Sequence, residues 1–310
     1  MIKFPLEYFV LYKSCRINSK LRNCNRSKII SKLTNFVHGQ KGKEESKLGD
    51  IFASLAIPTL VVVGILLWKF VLGSPSNFAD GEARHHPIKE GIGSTLGLIY
   101  LGGYIVPILL SLVLMSITFS IERYLTIGKA SGKASNESFV RKVKSHLQAN
   151  NVDAAIKECD VQKGSVANVV KSALVKYKEM EGESNMEKDQ KVLAIQKEIE
   201  EATSLELPML EKNLVIIATM ASVSTLVALL GTVLGMIKAF SALGNAGAPD
   251  STALATGISE ALINTALGIG NSAVAIVMYN VFTTKIDKIT YTIDEAGFTI
   301  VQNFAAAHKR

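Results

Sequence analysis

Charge is missing altogether from four stretches of this chain: residues 51–68, 91–121, 213–237 and 261–284. Uncharged runs of this length are too apolar for the surface of a soluble domain, and a helix needs about 20 residues to cross the hydrocarbon core, so all four can span a bilayer. Other absences exclude whole classes of chemistry. There is no Gly-rich phosphate loop and no zinc-type ligand spacing. His38, His85, His86, His146 and His308 are too scattered to build a Ser/His/Asp set. The His85-His86 pair has no third ligand near it in sequence, so no metal and no cofactor are expected, and the chain is not expected to be an enzyme. Only three cysteines occur, Cys15, Cys24 and Cys159, at spacings that match no metal-site pattern. They are expected to be inert thiols in a reducing compartment. The first apolar run begins only at residue 51, too late and too long for a signal peptide.

What is present agrees with a membrane protein. Hydrophobic residues make up 48% of the chain, above a typical soluble domain. Net charge is +7, and residues 1–50 alone hold eleven Lys/Arg against four acids. A basic arm leading into a hydrophobic span is read as a positive-inside signal rather than a nucleic-acid site, which places the N-terminus in the cytoplasm. Residues 122–212 hold fifteen Lys/Arg, whereas 239–256 hold none. With four spans, both termini and the charged segment share the cytoplasmic side.

These patterns predict an all-α integral membrane protein with about four transmembrane helices and a helical cytoplasmic domain. The expected order is a basic cytoplasmic arm (1–50), an extra transmembrane helix (51–72) interrupted by Pro58, and a periplasmic loop (73–98). A span (99–121), a cytoplasmic helical domain (122–213) and a span (214–238) follow. A periplasmic loop (239–256), a last span (257–284) and a cytoplasmic C-terminal helix (285–310) complete it. Within the domain, Phe139, Val140, Val143 and Leu147 recur near a 3.6 period, with Asn150-Asn151 as a break. A second helix is expected at about 165–180. A mixed-charge helix over 186–206 should run toward the third span, with a bend or restart at Pro208.

The last two spans carry polar groups that lipid-facing helices would not. The first holds Thr225 and, within the small-xxx-small pair Gly231 and Gly235, Thr232. The second holds Glu260, Asn264, Thr265, Asn271 and Ser272. At 100° per residue, and with Glu260 as zero, Asn271 falls at about 20°, Asn264 at 40°, Ser272 at 120° and Thr265 at 140°. The polar set fills one arc, with Leu262, Ile269 and Ile276 on the rest. In an antiparallel hairpin Thr232 and Thr265 lie at similar depths and can form one hydroxyl layer. Lys238 and Glu260 stand at the outer ends of neighbouring helices, where they can pair, and the dipole at the start of the last span favours an ionised Glu260. Polar groups in a membrane tend to mark function. The plainer alternative is that the hydroxyls bond back to i−4 carbonyls and the small residues only pack helices.

Gly231-Thr-Val-Leu-Gly235 followed by Met236-Ile-Lys-Ala-Phe240, then Gly257-Ile-Ser-Glu-Ala-Leu262, Thr265-Ala-Leu-Gly268 and Tyr279-Asn280, resemble the ExbB/TolQ/MotA proton-channel family, and ExbB most of all. Ile121-Glu122-Arg123 fits as well. The resemblance covers about residues 91–308. It implies a homo-oligomer, a pentamer, whose last two spans line a lumen. The implied partners are a dimer of an ExbD-like single-span protein held in that lumen, whose aspartate carries the proton, a TonB-like protein that delivers the work, and membrane lipids, with no nucleic acid. Thr232, Thr265 and Glu260 would line the proton path. Thr225, Asn264, Asn271, Ser272, Gly231 and Gly235 would be secondary lumen or helix-packing residues. The location implied is the bacterial inner membrane. Two positions depart from the family pattern: Leu234 stands where the family has tryptophan, and Ala273-Val274-Ala275 replaces a region that often holds proline. An ExbB-like role in TonB-dependent transport leads. A TolQ-like envelope role, a MotA-like stator role and a purely structural membrane scaffold remain the alternatives.

Overall fold

Apart from a single antiparallel bridge between Phe78 and Pro87, helix is the only regular structure among the described residues. The computed structural model describes residues 53–80, 87–88, 91–244 and 251–307. The basic arm, Cys15, Cys24, His38, His85-His86 and His308 lie outside them. Apart from Ala53, the described residues fall in the unit Ser54–Arg310.

Four helices are long and apolar enough to cross a membrane. The first, α1 (Ala53–Leu72), continues through Pro58. A proline in the second turn removes one rung of the ladder without breaking the helix. The last six residues of α1, Leu67–Leu72, form a π-helical turn. Its freed carbonyls are capped by the Asn77 amide, which donates to Val71 O at 2.7 Å and Leu72 O at 3.0 Å. Beyond it, the segment expected as a loop over 73–98 contains a short helix, α2 (Ile92–Tyr100). Tyr100 stacks on Trp68 at 4.8 Å and meets Phe78 edge-on, folding the segment back over the end of α1. The span expected from residue 99 therefore starts later. A break at residues 101–105 precedes α3 (Val106–Ala130), with Pro107 in its first turn, where a missing N–H is harmless.

The charged segment folds into α4 (Asn136–Gln148), α5 (Val152–Gln162), α6 (Ser165–Glu181) and α7 (Lys188–Glu211). Phe139, Val140, Val143 and Leu147 are all buried, as their helical spacing requires. Asn151 caps α5 by accepting from Ala154 N at 3.0 Å. The core closes against the far half of the last helix, where Phe304 meets Tyr177 edge-on at 4.8 Å. Ile195, Ile293 and Ile300 are fully buried there, each stabilising by about 1.5–3 kcal/mol.

Two long helices complete the chain: α8 (Leu214–Gly244) and α9 (Ser251–Ala307). The last span and the C-terminal helix, expected as separate pieces over 257–284 and 285–310, are one 57-residue helix that passes through 273–275. The bend expected at Pro208 also falls elsewhere. Pro208 stays inside α7, and the chain breaks at Lys212 and Asn213, the latter at φ 63°. Asparagine tolerates the left-handed region, so it can end one helix and start the next at a new angle. The break is clamped by Arg123 of α3, which is only 3% exposed and donates to Met209 O and Leu210 O, both at 3.4 Å. Its guanidinium pairs with Glu122, which also accepts from Thr126 Oγ1 at 3.1 Å and Asn213 Nδ2 at 3.3 Å. The last carbonyls of a helix have no partner within it and carry its negative end, so a buried arginine answers both needs.

Candidate functional site

The antiparallel pair α8–α9 is the most extensive helix contact in the described chain, and small residues set its closeness. A methyl on Gly235 would lie 2.9 Å from Ala261 N, and one on Gly231 would lie 2.8 Å from Asn264 Cβ. Neither glycine can be enlarged without parting the helices.

Close approach brings Thr232 and Thr265 into one layer, with their hydroxyl oxygens 2.5 Å apart. Each hydroxyl also lies 3.0 Å from the carbonyl four residues back, Ala228 O for Thr232 and Ala261 O for Thr265. Two hydroxyl hydrogens serve three contacts. At any moment one threonine donates to its carbonyl and the other donates across the pair, and a concerted turn of both O–H bonds exchanges the roles. Such a pair can pass a proton without moving an oxygen. Both residues are half-buried, and Thr232 also lines an open groove with Val233, Met236 and Phe240.

Above this layer, toward the end that carries the 245–250 connection, Lys238 Nζ donates to Glu260 Oε2 at 2.9 Å. Glu260 is 12% exposed at its side chain and Lys238 is 65% exposed. The dipole argument for Glu260 does not hold, because α9 begins at Ser251 and places Glu260 in its third turn. The field of a helix terminus fades within the first turn. The carboxylate instead rests against Gly103, whose φ of 79° and lack of a side chain make room for it.

The remaining predicted polar residues divide between two faces. Thr225 and Ser272 line an open groove of about 290 Å³ on the same side as Thr232. Asn264 and Asn271 turn inward toward α3 and α8. Asn264 is fully buried and donates to Gly102 O at 3.0 Å, and Asn271 Nδ2 donates to Ser224 Oγ at 2.7 Å. The single arc drawn at 100° per residue thus separates into a groove-facing line and an interior line.

Sequence reasoning passed over Gly102, Gly103 and Ser224. The glycine pair was the available signal, since adjacent glycines inside an expected span mark a turn. Ser224 carried none, because its partner lies 47 positions away.

Residues 162–295 match the MotA/TolQ/ExbB proton channel family. An 86-residue stretch is 38% identical to the putative biopolymer transport protein ExbB-like 3 of Synechocystis sp., covering 27% of this chain and 41% of that protein. A stretch of 88 residues is 39% identical to the Tol-Pal system protein TolQ of Haemophilus influenzae, covering 28% and 39%. A third, of 85 residues, is 31% identical to the biopolymer transport protein ExbB of Salmonella typhimurium, covering 27% and 35%. The chain thus spans about two fifths of the length of these relatives.

Proposed function

Because this multi-pass membrane chain carries a domain of the MotA/TolQ/ExbB proton channel family, we propose that it is an ExbB-like subunit of a proton-driven motor in the bacterial inner membrane. In this reading the groove face of α8 and α9 lines the lumen of a homo-pentamer. A dimer of an ExbD-like single-span protein occupies that lumen, and a TonB-like protein delivers the work to outer-membrane transport. Both termini and the α4–α7 domain lie in the cytoplasm, in keeping with the fifteen Lys/Arg of residues 122–212.

The observation that carries the reading is the Thr232–Thr265 hydroxyl pair at 2.5 Å, half-buried and with Thr232 lining an open groove. A hydroxyl pair can relay a proton but cannot store one at neutral pH. Such a lumen needs an acid from elsewhere, and the partner helix supplies it. Glu260, held by Lys238 at the opposite end from the domain, guards the periplasmic mouth.

A TolQ-like role in the envelope is the second reading, supported by a TolQ identity as high as that to the ExbB-like protein. The neighbouring gene distinguishes them from a stator. A single-span protein with a membrane aspartate fits an ExbB or TolQ role, and a peptidoglycan-binding MotB-like neighbour fits a MotA role. The functional test is proton-driven uptake in the Thr232→Val, Thr265→Val double variant. Uptake is expected to be lost while the oligomer persists. Full uptake in an intact oligomer would leave the hydroxyls as packing groups and favour the structural scaffold.

A further inference from the structure

The groove does not end at the threonine pair. Thr225 lies seven residues before Thr232, and Ser272 and Tyr279 follow Thr265 at intervals of seven. A seven-residue step returns to the same face within about 20° and advances about 10 Å along the axis. In the antiparallel register set by Thr232 opposite Thr265, Thr225 falls opposite Ser272, and the Ala218–Ser222 turn falls opposite Tyr279. Ser222, Thr225, Ser272 and Tyr279 indeed border one groove. A second groove continues it toward the α4–α7 domain, edged by Thr219, Ser222, Tyr279, Thr283, Glu211 and Asp287. Polar groups therefore recur at every second turn, from the threonine pair to two exposed carboxylates at the level of the Lys212–Asn213 break.

The hydroxyls differ in how tightly the backbone holds them. Thr219, Ser224, Thr232 and Ser241 of α8 reach their i−4 carbonyls at 2.7, 2.6, 3.0 and 2.9 Å. Ser222 and Thr225 reach theirs only at 3.5 Å. Bonds at that length are weak and readily exchanged for water. The two loosest hydroxyls of the helix are the two that share the groove with Ser272 and Tyr279. Tyr279 belongs to the Tyr279-Asn280 pair of the sequence resemblance and is half-buried, with its ring common to both grooves.

We propose that Thr225, Ser222, Ser272 and Tyr279 form the domain-side half of the proton path, carrying hydrated protons between the Thr232–Thr265 pair and the carboxylates Glu211 and Asp287. The inference rests on the lumen reading above. About three waters at 2.8 Å spacing bridge each 10 Å step. Every hydroxyl on the line accepts a hydrogen bond from one water and donates to the next, so a proton crosses by exchange of O–H bonds with no net change at the side chain. Glu211 and Asp287 end the line because a carboxylate facing water can take a proton from the last water and release it to solvent.

The test measures water in the groove, using the full-length chain in its native membranes with Cys15→Ser, Cys24→Ser and Cys159→Ala. Single cysteines are introduced as Ser222→Cys, Ser272→Cys and Tyr279→Cys, with Leu230→Cys and Val277→Cys, exposed apolar positions about 80° or more away from the groove on their helices, as controls. A charged, membrane-impermeant methanethiosulfonate is added from the domain side of sealed vesicles for the groove cysteines and controls, and from each side in turn for Thr232→Cys. Only a thiolate reacts, and a thiol without water does not ionise. The groove cysteines are expected to react about tenfold faster than the controls, or more. Thr232→Cys separates the two levels of the claim. Reaction at Thr232→Cys with groove cysteines as slow as the controls would overturn the domain-side path and leave the lumen standing. Slow reaction at all of them would overturn both.

Discussion

A methyl and a hydroxyl occupy nearly the same volume, so threonine can be changed with little disturbance to the packing of α8 on α9. Thr232→Ser keeps the oxygen 2.5 Å from Thr265 and is expected to retain most proton flux. Thr232→Val keeps the shape but leaves Thr265 with only its carbonyl, and flux is expected to fall at least about tenfold, in line with removal of a group that handles protons. A pH-sensitive dye in cells reads both. The Lys238–Glu260 pair carries a different expectation. With Lys238 mostly exposed, the pair contributes no more than about 1 kcal/mol to folding, so Glu260→Gln should leave stability nearly unchanged while impairing flux. Outside the membrane, burial pushes the Cys159 thiol up to about 12, and its Sγ donates to Ala155 O. It should resist alkylation at pH 8 until the domain unfolds, as mass spectrometry of labelled protein would record. Burial likewise raises Glu198 above its ordinary 4.5, with Glu201 and Glu179 adding to the rise against Lys176. The folded state therefore prefers a neutral Glu198. That contribution is fully present below pH 4.5 and is lost as pH rises through the raised value. Glu198→Gln should be more stable than the parent at neutral pH and equal to it in acid, by thermal unfolding in detergent. At this scale the threonine layer and the outer ion pair were legible, because hairpin depth follows from counting residues. The inward turn of Asn264 and Asn271 was not, because it depends on where α3 and the Gly102–Gly103 turn come to rest.

Helices here end where a side chain from elsewhere receives them, more than where local propensity falters. Pro208 gave the stronger signal in the sequence, yet the break lies at Lys212–Asn213, where the Glu122–Arg123 pair waits on α3. Arg123→Ala would leave Glu122 uncompensated and two carbonyls of α7 uncapped. It is expected to destabilise the protein by about 3 kcal/mol, read as a lower unfolding temperature. Arg123→Lys should recover little of this, because an ammonium cannot span a carboxylate and two carbonyls as a planar fork does. The helix expected over 165–180 is α6 to within one residue, the one expected over 186–206 runs on to Glu211, and α4 was marked by Phe139, Val140, Val143 and Leu147. Their spacing reflects a single face packed on one core. The continuous α9 was less readable, since its composition changes midway from apolar to charged while its backbone does not. Composition reports the surroundings of a helix, and only the hydrogen-bond ladder reports its length.

For the whole molecule, four candidate spans, one charged helical domain and the charge asymmetry between 122–212 and 239–256 make a consistent plan. The polar groove of α8 and α9 stays open along its length, and no carboxylate stands between Thr232 and the domain end until Glu211 and Asp287. In the proposed reading this groove is half of a relay, and the acid that loads it enters from a partner. The most direct measurement is proton flux, by a pH-sensitive dye, in cells carrying the full chain as Thr232→Val, Thr265→Val, with crosslinking of the oligomer in the same membranes. Flux is expected to fall to background while the oligomer remains at parental levels. Parental flux from an intact oligomer would contradict a lumen built on these two hydroxyls.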